Sequence, residues 1–314
     1  MVTLGVDLGG TNIKVALVDE AGAILQEASR PTNLPRPAEA VCDDIADLCR
    51  ELMAGRDDVA GIGVGCPGTV DDATGMVLYS NNLDWSNFAM GPYLTRRTGL
   101  PVRLANDANA AALGEALAGC AKGADSAVII TLGTGVGGGV VLDGKLLTGY
   151  TGAAAEPGHM VIHDAADAPL CTCGRRGCLE AYASATALIR MTKEAMAAHP
   201  ESALWQLATP QTVVGRTVFD ARDAGDAVAA AVVKEYIHWL AAGVANLVNI
   251  FFPQVVGLSG GVANQGEALL APLRAEVEPM VFGHAFAQKR TTLTTCTLGY
   301  RAGVIGAALL AREK

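Results

Sequence analysis

The chain has 314 residues, 51% hydrophobic and 18% charged, with a formal net charge of −9. That length exceeds what a single hydrophobic core usually supports, so two lobes around a cleft are expected, and the apolar content argues against long disorder. The acidic balance excludes a nucleic-acid surface, because phosphate backbones are held by clustered Lys and Arg.

The opening MVTLGVDLGG has neither a basic region nor a small-residue cleavage site, so it reads as a strand entering a turn and not as a signal peptide. Val2–Asp7, Lys14–Asp19 and Ala23–Ser29 are β-favouring runs separated by Gly-Gly-Thr-Asn and Glu-Ala-Gly, an antiparallel meander. A helix is predicted over Ala38–Met53, where Val41, Ile45, Leu48 and Leu52 recur at helical spacing. Strands follow at Val59–Gly65 and Val102–Ala105, then a helix over Asp107–Ala118. Asn106 and Asp107 therefore fall at a strand-to-helix junction, a common place for ligands. Ser126–Leu132 is a strand, residues 133–139 are glycine-rich, and Val140–Asp143 is extended, so the β–glycine turn–β device occurs twice.

Further on come helices over Leu179–Ala198 and Asp226–Phe252, a strand Gln254–Leu258 ending in Ser-Gly-Gly, and a last helix near Ala302–Arg312. The apolar stretch Tyr236–Phe252 contains His238, Asn246 and Asn249, which make it too polar for a membrane span, so a cytoplasmic location is expected. The pattern predicts an α/β protein with an N-terminal lobe over 1–112 and a larger lobe over 113–299. The helix at about 300–314 is expected to pack back on the first lobe.

Asp7-Leu8-Gly9-Gly10-Thr11 places a carboxylate at a strand end before two glycines and a hydroxyl. Glycines admit a phosphate to the backbone N–H groups, and a carboxylate there can hold Mg²⁺ through water, although a plain hairpin turn looks the same. Gly133, Gly135 and Gly138 formally match G-x-G-x-x-G, but the dinucleotide reading requires a helix next, and Val140–Asp143 reads as a strand. Gly139 to Lys145 has P-loop spacing, but Leu146 replaces the Mg²⁺-binding hydroxyl. A second phosphate-facing hairpin remains. Ser259-Gly260-Gly261 is a third glycine turn, leading into a helix whose free N–H groups suit a nucleotide.

Cys171, Cys173 and Cys178 form C-x-C-x₄-C. Three thiolates and an imidazole close a tetrahedral Zn²⁺ site, with His159 or His163 as the fourth ligand. Such an ion is structural, since no position is left for water. The scattered Cys42, Cys49, Cys66, Cys120 and Cys296 are expected as buried small hydrophobes. Asp107 alone reads as an ordinary helix N-cap.

Taken in order, DLGGTNIK at 7–14, GCPG at 65–68, NDANAAALGE at 106–115, LGTGVGGG at 132–139, EPGH at 156–159, CTCGRRGCLE at 171–180 and LSGGVAN at 258–264 resemble the ROK family of sugar kinases and repressors. That family has the two-lobed actin- and hexokinase-like (ribonuclease H-like) ATPase fold. CLEAYASATALI looks most like its glucokinase branch. The resemblance implies ATP with Mg²⁺ on Asp7, Gly9, Gly10, Thr11, Asn12, Lys14, Gly133, Thr134, Gly135 and Gly137, with Gly260 and Gly261 beside the adenosine. It implies Asp107 as general base toward a hexose hydroxyl, with Gly68, Asn106, Glu156, His159 and Glu180 around the sugar. Zinc would be held by His159, Cys171, Cys173 and Cys178, leaving the second nitrogen of His159 for the hexose. Pro157 departs from the aliphatic residue more common at that place.

The resemblance also implies a homodimer. Glucose leads as substrate, with N-acetylmannosamine, allose and fructose as alternatives. Repressors of the family carry an added DNA-binding domain, for which a first phosphate strand starting at residue 2 leaves no room.

Overall fold

The computed structural model describes residues 1–312. In chain order the elements begin with β1 (Val2–Leu8), β2 (Asn12–Val18), β3 (Ile24–Pro31), α1 (Ala38–Met53) and β4 (Val59–Cys66). Then come β5 (Thr69–Asp71), β6 (Met76–Ser80), β7 (Trp85–Phe88), α2 (Met90–Thr98), β8 (Val102–Asn106) and α3 (Asp107–Leu117). A second series holds β9 (Ser126–Leu132), β10 (Val136–Leu142), β11 (Lys145–Leu146), α4 (Glu180–Ala183) and α5 (Ala185–Ala198). It continues with α6 (Leu204–Leu207), α7 (Thr217–Asp223), α8 (Ala227–Phe251), β12 (Val255–Ser259), α9 (Glu267–Val277), β13 (Thr292–Thr295) and α10 (Ala302–Leu310).

Two compact units result. The first takes Met1–Ala127, Gly139–Ala155 and the chain from Cys296 onward; the second takes Val128–Gly138 and Glu156–Thr295. In the first unit the sheet order is β3-β2-β1-β4-β8. The expected meander supplies the antiparallel β1, β2 and β3, while β4 and β8 run parallel to β1. Leu4, Val6, Leu8, Ile13 and Val15 are fully buried and share a core with Val41 and Ile45 of α1. α10 lies against β1 and β4 because both strands carry glycine beneath it. A Cβ at Gly5 would stand 1.9 Å from the Val304 carbonyl oxygen, and one at Gly63 would stand 1.8 Å from that of Ala307. The Thr3 hydroxyl donates to the Ala308 carbonyl at 2.8 Å. The small antiparallel sheet β5-β6-β7 with α2 completes this unit.

The other five-stranded sheet runs β11-β10-β9-β12-β13. Its turn is tighter than the run of glycines suggests. The Gly133 N–H donates to the Gly135 carbonyl at 3.0 Å, and β10 already begins at Val136, so Gly137, Gly138 and Gly139 lie in the strand. The helix expected over Leu179–Ala198 is broken. Ser184 is extended, with ψ 163°, and its hydroxyl accepts the Ala187 N–H at 3.0 Å, capping α5 separately from α4. By length and composition α8 can span a membrane, contrary to the expectation from its polar residues. Here it packs as a core helix: Tyr236, Leu240 and Val244 are fully buried, and the Tyr236 hydroxyl donates to the Ala183 carbonyl at 2.6 Å.

Candidate functional site

In the first unit, Asp7, the penultimate residue of β1, pairs with Lys14 on β2, with Nζ 3.7 Å from Oδ2. The turn between them is closed by the Gly9 N–H on the Asn12 carbonyl at 2.9 Å. Thr32 supports it from behind, donating its hydroxyl to the Gly9 carbonyl at 2.7 Å and its N–H to the Thr11 carbonyl at 2.8 Å. Gly10, Thr11 and Asn12 are left exposed, as a phosphate-receiving turn requires.

The junction after β8 is built around Asn106. Its side-chain oxygen accepts the N–H groups of Ala108 at 2.9 Å and Asn109 at 3.3 Å, while its nitrogen donates to the Gly68 carbonyl at 3.0 Å. Gly68 has φ +105°, and a Cβ there would stand 2.2 Å from the Tyr79 carbonyl oxygen, so no other residue fits. Asn106 is therefore the N-cap, a role the isolated sequence suggested for Asp107. Asp107 keeps one contact of that kind, the Ala108 N–H at 2.9 Å on Oδ1. Burial raises the Asp107 carboxyl above the usual range, against the lowering by the Ala108 and its own N–H groups and the Asn106 side chain. Burial also raises Asp7; Lys14 opposes that shift, and the negative charge of Asp107 adds to it. Two carboxylates thus share one region with a single lysine against them, an arrangement that favours a proton acceptor and a divalent cation.

In the second unit the Gly133–Gly135 turn is tied down at each residue. The Gly133 carbonyl accepts the Ala185 N–H at 2.8 Å, and that of Thr134 accepts the Thr186 hydroxyl at 2.7 Å. The Val136 N–H donates to Glu180 Oε2 at 3.1 Å. Gly260 and Gly261 follow β12 at the base of the same turn, where the Val262 N–H reaches the Leu132 carbonyl at 3.4 Å. The second and third glycine turns thus come together.

Glu156 precedes a single 3₁₀ turn, Pro157–His159, closed by the His159 N–H on the Glu156 carbonyl at 3.1 Å. Pro157 takes the first position of that turn, where its missing N–H costs nothing. His159 and the three cysteines converge: one ligand atom from each of His159, Cys171, Cys173 and Cys178 lies within 4.8 Å of all the others. Nδ1 of His159 is 3.5 Å from the Cys171 sulfur, and the Cys173 and Cys178 sulfurs are 3.7 Å apart. This donor set matches a closed tetrahedral zinc site. His163, the competing ligand, hydrogen-bonds the Tyr182 hydroxyl through Nδ1 at 2.8 Å and stacks on Trp239. The Arg175 backbone N–H holds the Cys173 thiol down to about 6. Glu180 is buried enough to raise its carboxyl, yet the Thr172 hydroxyl, the Val136 N–H, the Cys171 thiol and His159 outweigh burial and lower it.

The ROK family model matches residues 3–314. The chain belongs to the ROK family. It is 40% identical to a glucokinase of Thermotoga maritima over 99% of this chain and 97% of that one. A ROK glucokinase from Streptomyces griseus, solved with glucose and AMPPNP, is 39% identical and superposes with a TM-score of 0.78 over the whole of both chains. A ROK hexokinase from Thermus thermophilus is 35% identical, with a TM-score of 0.80 over 99% of this chain and 98% of that one. The fold is accordingly the α/β, actin- and hexokinase-like one.

Two features of this ROK chain escaped the sequence reading. Cys120 and Cys296 are not core residues: both are half-buried, with sulfurs 3.8 Å apart beside the buried Glu115. Glu115 accepts the N–H groups of Cys120 and Thr297 at 3.0 Å each and of Leu298 at 2.7 Å, pinning the entry to α10. Thr172, whose hydroxyl donates to Glu180 Oε1 at 2.5 Å, carries no sequence signal beyond its place between two cysteines.

Proposed function

We propose that this ROK chain is an ATP-dependent glucokinase, transferring the γ-phosphoryl group of ATP to the 6-hydroxyl of D-glucose to give ADP and D-glucose 6-phosphate. The observation that carries the reading is Asp107, a carboxyl with a raised proton affinity, relieved of the helix cap by Asn106. In the reaction the hydroxyl oxygen attacks the γ-phosphorus, its proton passes to Asp107, and the bond to the ADP oxygen breaks. Asn106, Gly68, Glu156, His159 and Glu180 hold the ring; Glu180, kept ionised, serves as a permanent acceptor for sugar hydroxyls.

The turn Asp7–Lys14 and the turn Gly133–Gly135, with Gly137 at the start of β10, receive the ATP phosphates, and Gly260 and Gly261 lie beside the adenosine. Asp7 would hold the Mg²⁺ that accompanies ATP, an ion that would supply neutralisation of the phosphate charge. His159, Cys171, Cys173 and Cys178 hold a structural zinc ion, which when bound fixes their loop. Eight free thiols, three of them converging with His159 in a donor set that depends on reduced sulfur, support a cytoplasmic location. A homodimer is proposed on the family resemblance.

The test is a panel of acceptors with purified protein and Mg-ATP. Glucose is expected to give a kcat/KM at least about tenfold above those of N-acetylmannosamine, allose and fructose, a margin one well-used hydroxyl contact supplies. Preference for any of the other three overturns the assignment of glucose.

A further inference from the structure

Cys120, in the turn after α3, and Cys296, in the segment that leads from β13 into α10, both lie in the first unit with sulfurs 3.8 Å apart. The glucokinase reading uses neither thiol. Their approach is held by Glu115 of α3, which is 2% exposed. Its Oε2 accepts the N–H groups of Cys120 and Thr297 at 3.0 Å each, and its Oε1 accepts that of Leu298 at 2.7 Å. One buried carboxylate thus fixes the backbone at both cysteines. A Cβ at Gly119 would stand 2.1 Å from Oε2, so the turn closes directly on the carboxylate. The carboxylate and the two sulfurs also lie within 4.8 Å of one another, as metal ligands do. With three N–H groups already on its oxygens, however, Glu115 serves to position the pair, and two thiols alone do not complete a tetrahedral site.

Bonded sulfurs stand about 2.0 Å apart, and the remaining gap is within the sweep of two rotating side chains while Glu115 keeps the backbone in place. Both cysteines are half-buried and so not sealed in the core. The Cys296 thiol is pushed up, first by the Cys120 thiol beside it and then by burial, which makes it a slow nucleophile. Closure therefore answers sustained oxidant, not a brief pulse. The segment it would fasten runs on to Tyr300, whose ring lies 5.6 Å from Lys14 Nζ, and to Gly303, where a Cβ would stand 3.3 Å from Asp7 Cγ. A link at Cys296 thus holds the support of the Asp7–Lys14 pair.

We infer that Cys120 and Cys296 are a modification site, a thiol pair that hydrogen peroxide converts to a reversible disulfide stapling the end of α3 to the entry of α10. One sulfur attacks a peroxide oxygen, the O–O bond breaks, and a sulfenic acid and water form. The other sulfur displaces the sulfenic hydroxyl, which leaves as a second water with the remaining thiol proton. Two thiols and one peroxide give one disulfide and two waters. The bridge closes a loop of more than a hundred residues and so restricts the unfolded chain, which raises stability. The test treats reduced, zinc-loaded protein with hydrogen peroxide, then maps peptides by mass spectrometry and follows melting. A Cys120–Cys296 cross-linked peptide that dithiothreitol separates is expected. The treatment should also shift the parent melting point about 3–10 °C upward relative to the shift it causes in Cys120→Ser or Cys296→Ser. Each variant is a complete control, so one suffices where the other does not fold, and damage at the zinc thiols is common to all three proteins. Absence of the cross-linked peptide overturns the site. A cross-linked parent whose melting point shifts no higher than the variants' overturns the staple.

Discussion

Two carboxylates carry the proposed sugar chemistry, and the protein treats them in opposite ways. At Asp107 burial dominates and the carboxyl is pushed up; at Glu180 hydrogen bonds from Thr172, Val136 and Cys171 overcome burial and the carboxyl is pulled down. A group that must take a proton gains from the first environment, and a group that must stay an acceptor gains from the second. The same residue class is divided into two functions by the number of donors each is given.

The sharpest way to break that contrast is Asp107→Asn. The variant should lose about 10²–10⁴-fold in kcat, the usual worth of general-base catalysis, with zinc content unchanged. Its stability should move the other way. Because the folded pKa is raised, the stability tied to Asp107 is complete below the unfolded carboxylate value and is lost as pH rises through the folded one. The asparagine variant should therefore melt about 1–3 °C above the parent at pH 7, with the gap closing in acid. A lower melting point at pH 7 would mean that burial does not load this carboxyl.

Glu180→Gln should act mainly on binding, raising KM for glucose about 10–100-fold with a smaller effect on kcat, since one acceptor for the ring becomes partly a donor. A loss confined to kcat would move Glu180 from holding the ring to the chemical step. Thr172→Val is the smallest change. It removes one of the donors that keep Glu180 low, and KM for glucose should rise about two- to fivefold, consistent with one hydrogen bond to a charged group partly replaced by water.

The sequence carried the chemistry further than it carried the architecture. The paired residues Asn106 and Asp107, the three glycine turns and the C-x-C-x₄-C spacing are local patterns, and local patterns survive in one dimension. Residues 69–98, which fold as β5, β6, β7 and α2, gave no expectation at all: the strands are three to five residues long, with Asp, Asn and Gly between them and no sustained period. The division of one expected helix into α4 and α5 turned on a single serine whose hydroxyl could equally have faced solvent. Cys120 and Cys296, 176 positions apart, could be paired only by the fold. The exchange of the capping role from Asp107 to Asn106 needed side-chain directions, which spacing does not provide.

Glu180 spends one oxygen on the amide of Val136 and the other on Thr172 and Cys171. A loop assigned to nucleotide and a loop assigned to metal are thereby yoked through one rigid fork, so a displacement of either is transmitted to the other. Glu180 is in this way a strut between the two loops, and by thermodynamic reciprocity any factor by which a ligand on one loop alters affinity at the other is the same in both directions.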